Sequence, residues 1–287
     1  MNGTAWQDRY CASADGLRLY YRDYPALEPG RLPVLCLPGL TRNCRDFEST
    51  ALRLRLARRV LTPDLRGRGR SQYDPTWQNY HPGTYLEDLT RLLADAGAGR
   101  AILLGTSLGG ILSMLIGATV PRVAAAVILN DIGPEVAQEG LHRIATYVGR
   151  NTPVRNWEEA AAQMRATYGM AMPDATEQDW RAFARRSFSE VDGVPRLDVD
   201  PGIGEAVRAA PAGAAPDLWS VYASLKSLPV LALRGELSDV LSEGTFERMA
   251  REKPDLLRVT VARRGHPPLL DEPESIGAID EFLATLP

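Results

Sequence analysis

The sequence is poor in cysteine and histidine and has no long apolar run, and each shortage excludes something. Three cysteines, Cys11, Cys36 and Cys44, are an odd number without metal-ligand spacing, which argues against a disulfide framework and for free thiols in a reducing compartment. Cys36 lies in the run Val34-Leu35-Cys36-Leu37 and is expected to pack as a small hydrophobe. No stretch reaches the roughly 20 apolar residues of a membrane span. The first ten residues carry Trp6, Asp8 and Arg9 and no apolar core of a signal peptide, so the cytoplasm is the expected compartment. Excess charge is missing too. The net charge is −3 and the many arginines are interleaved with Asp and Glu, which gives no electrostatic reason for a nucleic-acid or membrane partner. No His/Cys/Asp cluster has ligand spacing, so no metal and no organic cofactor is implied. Oligomeric state cannot be read from the sequence.

What is present is an ordinary soluble balance, 45% apolar and 24% charged over 287 residues, enough for one large domain or a domain with an insertion. Leu17, Leu19 and Tyr21 alternate with Arg18, Tyr20 and Arg22, the period of a strand with one wetter face. Short apolar runs then alternate with helical patterns. Strands are expected at 33–37, 59–61, 101–104 and 123–129, with helices at 45–58, 84–94 and 108–119 between them. Continuous apolar strands point to a parallel sheet covered by helices on both faces. The rhythm stops at 132. Residues 132–216 hold two helical candidates, 157–168 and 177–188, and a tail from 193 rich in Pro, Gly and Ala, so they read as a helical insertion. Alternation resumes with strand 229–233, helix 242–252, strand 256–261 and helix 274–283. The core is therefore expected from residues 1–131 and 217–287.

Gly105-Thr106-Ser107-Leu108-Gly109 follows an expected strand and opens an expected helix, the setting a nucleophile elbow requires. The tight turn strains the serine, and flanking glycines remove side chains that would clash there. A serine hydroxyl needs a base. Of the three histidines, His266 follows the last strand, whereas His81 precedes a helix and His142 lies in the insertion, so His266 is the expected base. The base needs a carboxylate to orient it. Asp239, beyond strand 229–233, is the expected partner. Asp131, at the end of strand 123–129, and Glu236 are its rivals, and the plain role for Asp131 is to cap the chain as it enters the insertion. The oxyanion should be met by backbone amides. We expect these from Leu108, after the nucleophile, and from Leu40, in Leu37-Pro38-Gly39-Leu40.

Four pieces of the chain together resemble the α/β-hydrolase family of esterases and lipases. They are the Leu37–Leu40 loop, the segment Pro63-Asp64-Leu65-Arg66-Gly67-Arg68-Gly69-Arg70-Ser71, the elbow, and Gly265-His266. Order and spacing match over about residues 15–285. The resemblance implies an α/β-hydrolase fold, with the insertion as the family's cap. The chain departs from many members in having Pro38-Gly39 for His-Gly and Gly67-Arg68-Gly69 for Gly-His-Gly; neither change removes a proposed amide. Members with an aspartate nucleophile, such as epoxide hydrolases and haloalkane dehalogenases, are disfavoured by Ser107. The glycine-rich segment 67–71 lacks the lysine and hydroxyl pattern of a phosphate loop and reads as a turn network, with Arg66 and Arg68 tied to carboxylates.

The expected activity is hydrolysis of a small carboxylic ester or lactone through an acyl-enzyme. Carbon–carbon bond hydrolysis and cofactor-free perhydrolysis are alternatives that related members run on the same three side-chain types. A receptor binding a small apolar molecule on a hydrolase scaffold is an alternative of another class. Tryptophan, tyrosine and methionine in the insertion (Met164, Met170 and Met172 among them) suit either an apolar pocket wall or plain core. Arg42, two residues after the proposed oxyanion amide, could clamp a substrate carboxylate or pair with a nearby acid.

Overall fold

The computed structural model describes residues 4–150, 152–209 and 217–287. The chain opens with β1 (Gln7–Ala12) and β2 (Arg18–Tyr24), then β3 (Val34–Leu37), α1 (Glu48–Leu54), β4 (Val60–Pro63), α2 (Pro82–Asp95), β5 (Ala101–Thr106), α3 (Leu108–Thr119) and β6 (Ala124–Asn130). An inserted segment follows: α4 (Gln138–Tyr147), α5 (Trp157–Tyr168), α6 (Glu177–Ser187), the hairpin β7 (Phe188–Val191) and β8 (Val194–Leu197), and α7 (Gly202–Ala209). The chain returns through α8 (Leu218–Ala223), β9 (Val230–Gly235), α9 (Glu243–Glu252), β10 (Leu257–Val261) and α10 (Pro273–Ala284). The expected boundary between residues 216 and 217 abuts 210–216, which lie outside the described residues.

Eight strands form one sheet in the order β1-β2-β4-β3-β5-β6-β9-β10. β2 runs antiparallel to β1 and β4, and the strands from β4 to β10 are parallel. The continuous apolar runs follow from burial on both faces. In β3, Leu35 and Leu37 join a cluster with Leu89, Leu92, Leu112 and Ile116 of α2 and α3. Val34 and Cys36, pointing the other way, join Phe47, Ala51, Ile279 and Phe282 around α1 and α10. A strand alternates its side chains, so only apolar residues at every position satisfy both layers. Cys11, Cys36 and Cys44 are free and buried. Tyr20 departs from the expected wetter face of its strand: it is buried because Arg70 stacks 4.3 Å over its ring and Asp8 accepts its hydroxyl at 2.7 Å.

The chain leaves β3 toward β4 on one side and returns to β5 on the other. Loops leaving these carboxyl ends diverge and open a crevice, the usual ligand site of such sheets. The inserted segment has its own apolar cluster, including Met164, Tyr168, Trp180, Phe183 and Phe188. It is docked on the core by backbone bonds from Gly69 to the Asp198 carbonyl (3.0 Å), from Asp200 to the Gly67 carbonyl (2.9 Å) and from Gly265 to the Ala171 carbonyl (2.8 Å). Ion pairs Arg45–Asp198, Arg143–Asp239 and Arg264–Asp174 add to these. Among the described residues no helix is long and apolar enough to cross a membrane.

Candidate active site

Ser107 sits between β5 and α3 with φ +53° and ψ −117°, a left-handed conformation that costs a non-glycine residue about 1–3 kcal/mol. The neighbours explain how the turn is tolerated. A Cβ on Gly105 would lie 2.2 Å from the Gly109 backbone, and one on Gly109 would lie 2.0 Å from the Leu37 carbonyl oxygen. Only glycine at both positions lets α3 leave the sheet this tightly. The serine is thereby lifted to the amino end of a 12-residue helix, where the helix dipole favours negative charge.

The structure brings His266 to Ser107, with Nε2 2.9 Å from Oγ. His81 instead caps α2, accepting from the Thr84 amide, and His142 lies exposed on α4. On the far side of the ring, Nδ1 is 2.8 Å from Asp131 Oδ2. The expectation of Asp239 as the orienting acid is corrected here. Asp239 binds Arg143 of α4, whose Nη2 donates to Oδ1 at 2.8 Å. Burial pushes the Asp239 carboxyl up, but Arg143 and more weakly His266 outweigh it, leaving the carboxyl below its ordinary value. Glu236 accepts from the Arg263 amide at 2.8 Å, so it shapes the loop before the histidine without touching the ring.

Asp131 is fully buried, and its partners hold it still. Oδ1 accepts from the Gly235 amide at 2.7 Å, and Oδ2 accepts from Ser238 Oγ at 2.6 Å as well as from the imidazole. An acceptor at Nδ1 fixes the proton on that nitrogen, which leaves the Nε2 lone pair facing the serine hydroxyl. Asn130, which sequence reasoning passed over, ties the pieces together. Its Nδ2 donates to Thr106 Oγ1 (3.0 Å) and to the Pro268 carbonyl (2.9 Å), so the strand before Ser107 and the histidine loop share one brace. Glu272 does the same for the histidine loop, accepting from the Leu269 and Leu270 amides at 2.9 and 3.0 Å. Neither residue type at an isolated sequence position would have signalled this.

The loop after β3 packs on the serine: a Cβ on Gly39 would lie 3.7 Å from Ser107 Cβ. Its carbonyls are committed elsewhere. That of Gly39 accepts from the Arg42 amide at 3.1 Å, and that of Leu40 accepts from Arg68 Nε at 2.9 Å. In a trans peptide N–H and C=O point oppositely, so tethering the Gly39 carbonyl also fixes the direction of the Leu40 amide. The expectation that Arg66 and Arg68 both bind carboxylates holds for Arg66 alone, which meets Asp15, Asp74 and Asp88. Arg68 is fully buried behind the Gly39–Leu40 loop and donates to the Leu40 and Arg66 carbonyls and the Tyr85 hydroxyl, while its Nη2 has no hydrogen-bond partner.

Arg42 is likewise not open to a substrate. Asp46 occupies its fork at 2.7 and 2.5 Å, Ser187 Oγ takes Nη1 at 2.6 Å, and the guanidinium stacks 4.2 Å over Phe183. Asp46 lies four residues on, in the short 3-10 turn that follows Arg42, within reach of its guanidinium.

Ser107 and His266 open into a partly enclosed cavity. Its walls include Tyr147, Tyr168, Met172 and Phe183 from the inserted segment and Leu269 and Leu270 from the core. Trp180 and Met164 are buried in the insertion's own cluster, and Met170 is exposed, so only part of the aromatic and methionine content faces the cavity. Among the described residues no group of three or more His, Cys, Asp or Glu is placed to hold a metal ion.

Comparison with known proteins fits this geometry. The chain resembles a 3-hydroxybutyrate-oligomer hydrolase of Cupriavidus necator, with 30% identity over 283 residues, 95% of each chain. A 2-(acetamidomethylene)succinate hydrolase of Mesorhizobium japonicum is 29% identical over 83% of each chain. The crystal structure of an alpha/beta hydrolase from Novosphingobium aromaticivorans superposes with a TM-score of 0.93 at 45% identity, covering 99% of this chain and 100% of that one. A model of the alpha/beta hydrolase family matches residues 34–278. With the sheet order, the elbow and full-length hydrolase relatives in agreement, the chain belongs to the alpha/beta hydrolase family.

Proposed function

We propose that the chain is a serine hydrolase that cleaves a carboxylic ester or lactone through an acyl-enzyme, with Ser107, His266 and Asp131 as its triad. The observation that carries this reading is the unbroken run of hydrogen bonds from Ser107 Oγ through the imidazole to a buried carboxylate, at the floor of a cavity. As Ser107 Oγ attacks the substrate carbonyl, its proton passes to His266 Nε2, and Asp131 stabilises the imidazolium. The developing oxyanion is met by the amides of Leu40 and Leu108, donors fixed before the reaction begins. Collapse expels the alcohol, which takes the proton from His266. Water activated by the same imidazole then releases the acid. The inserted segment serves as the cap, supplying the apolar side chains that shield the acyl-enzyme from bulk water. The relative that hydrolyses 3-hydroxybutyrate oligomers favours short hydroxyacyl esters as the first substrates to try.

A fluorophosphonate probe should label the protein stoichiometrically. Ser107→Ala should abolish both labelling and turnover of short acyl esters. Labelling elsewhere, or full turnover by Ser107→Ala, would end the proposal.

A further inference from the structure

The walls of the cavity carry two arginines, Arg42 and Arg186, and they are in opposite states. Arg42 has its fork filled by Asp46. Arg186, at the end of α6, has no such commitment. Among the described residues its side chain makes no hydrogen bond, and its buried Nε has only a long ion pair, 3.9 Å to Asp46 Oδ1, a carboxylate that already serves Arg42. Asp271, the other acid on the cavity wall, makes no hydrogen bond to it either. Burial and the neighbouring Glu272 push the Asp271 carboxyl above its ordinary value, and Arg186 and Arg264 only partly offset them, so Asp271 feels Arg186 across the cavity without bonding to it. The Arg186 backbone, in contrast, is held fast: its carbonyl accepts from Asn43 Nδ2 and Arg45 Nε, both at 2.9 Å. The guanidinium also stands 5.4 Å over the Phe183 ring, a loose contact that leaves its edge free. A guanidinium kept in a substrate cavity with its planar fork empty is built for a carboxylate.

We infer that Arg186 is the specificity determinant of the site and binds a free carboxylate on the substrate, so that the preferred substrates are esters carrying an acid group. This rests on the ester-hydrolase reading above and narrows it to one substrate class.

The test compares two pairs of esters, each differing only in acid against primary amide. They are 3-acetoxybutanoate with 3-acetoxybutanamide, followed by acetate release, and 4-nitrophenyl hemisuccinate with 4-nitrophenyl succinamate. Wild type should prefer the acid member of at least one pair. In Arg186→Gln that preference should fall roughly 10- to 100-fold, the range that charge-assisted bonds span. Arg186→Lys should retain part of it. Arg185→Gln should keep all of it, because Arg185 stacks 3.6 Å over Trp157 outside the cavity wall. An acid-to-amide ratio unchanged in Arg186→Gln for both pairs overturns the inference. Calorimetric binding of 3-acetoxybutanoate to Ser107→Ala, with and without Arg186→Gln, separates the two readings. Binding that needs Arg186 in a protein that hydrolyses none of the four esters would sink the hydrolase reading and leave the carboxylate site standing.

Discussion

An orienting carboxylate must reach the imidazole and be unable to turn away from it. Asp131 and Asp239 both precede His266 in the chain and both follow neighbouring strands, so chain order alone could not separate them. Slack decides. Asp131 is joined directly to Asn130, the last residue of β6, and its oxygens are pinned by Gly235 and Ser238. Asp239 stands four residues beyond the end of β9, far enough for the loop to deliver it to Arg143. Asp131→Asn should therefore lower kcat by about three to four orders of magnitude, because an amide favours the wrong tautomer. Asp239→Asn should cost no more than about fivefold, the scale of a partly exposed ion pair. Steady-state kinetics on one short ester decides, and the reverse ranking would restore Asp239. The contact between Ser107 and His266 was legible because motif and position agree. The Arg42 pair was legible only as one of two options, since spacing shows a possible partner and not whether it is taken.

At the scale of elements, apolar continuity made the sheet readable and its absence hid most of the inserted segment. α5 and α6 stand where their periodicity and caps put them: Asn156 accepts from the Glu159 amide, and Thr176 with Asp179 forms a capping box. The β7–β8 hairpin was missed although Asp192-Gly193, with φ +51° and +76°, is a strong turn signal. Its strands are short and half-exposed and carry no apolar run for a sequence reading to follow. The packing of α3 on β3 makes a sharper prediction. Gly109→Ala forces a methyl into the Leu37 carbonyl and should cost at least about 1–3 kcal/mol, read as a lower denaturation midpoint with unchanged m-value.

Arg66 joins three elements in the same way, binding Asp15 beside β2, Asp74 after β4 and Asp88 on α2. Its hydrogen bond, with help from Ser13, holds the Asp15 carboxyl down at about 2 from an ordinary 3.8. A depressed acid stabilises the fold above its unfolded value and loses that contribution as pH falls through the folded one. The stability difference between wild type and Asp15→Asn should thus be constant above about pH 4 and vanish near pH 2. Asp15 is substantially exposed, so the plateau should be about 1 kcal/mol or less. A difference that persists below pH 2 would contradict the assignment.

At the scale of the whole molecule one apolar core serves both parts. The sheet is closed by apolar burial on both faces, and the inserted segment joins the same core: Val148, Val199 and Ile203 lie in the cluster of β3, α2 and α3, with Ile144 of α4 and Ala206 and Val207 of α7 packed against it. The ion pairs Arg45–Asp198, Arg143–Asp239 and Arg264–Asp174 add to that contact. Salt screens ion pairs and leaves apolar contacts largely intact. Raising salt from about 0.1 M to about 1 M should therefore leave amide exchange in α4 and α7 nearly unchanged, as mass spectrometry would show. A large gain in exchange there would mean that the ion pairs carry the docking. The insertion was only half visible beforehand: composition marked where the segment begins, but the residues that fasten it to the core lie far apart in sequence.

The three donors that secure Asp131 come from residues 235, 238 and 266, and none from the helices that begin a few peptides downstream of it. Change in those helices would reach the Ser107–His266–Asp131 contacts only indirectly, through the loop at Asp239 that Gly140 and Arg143 brace.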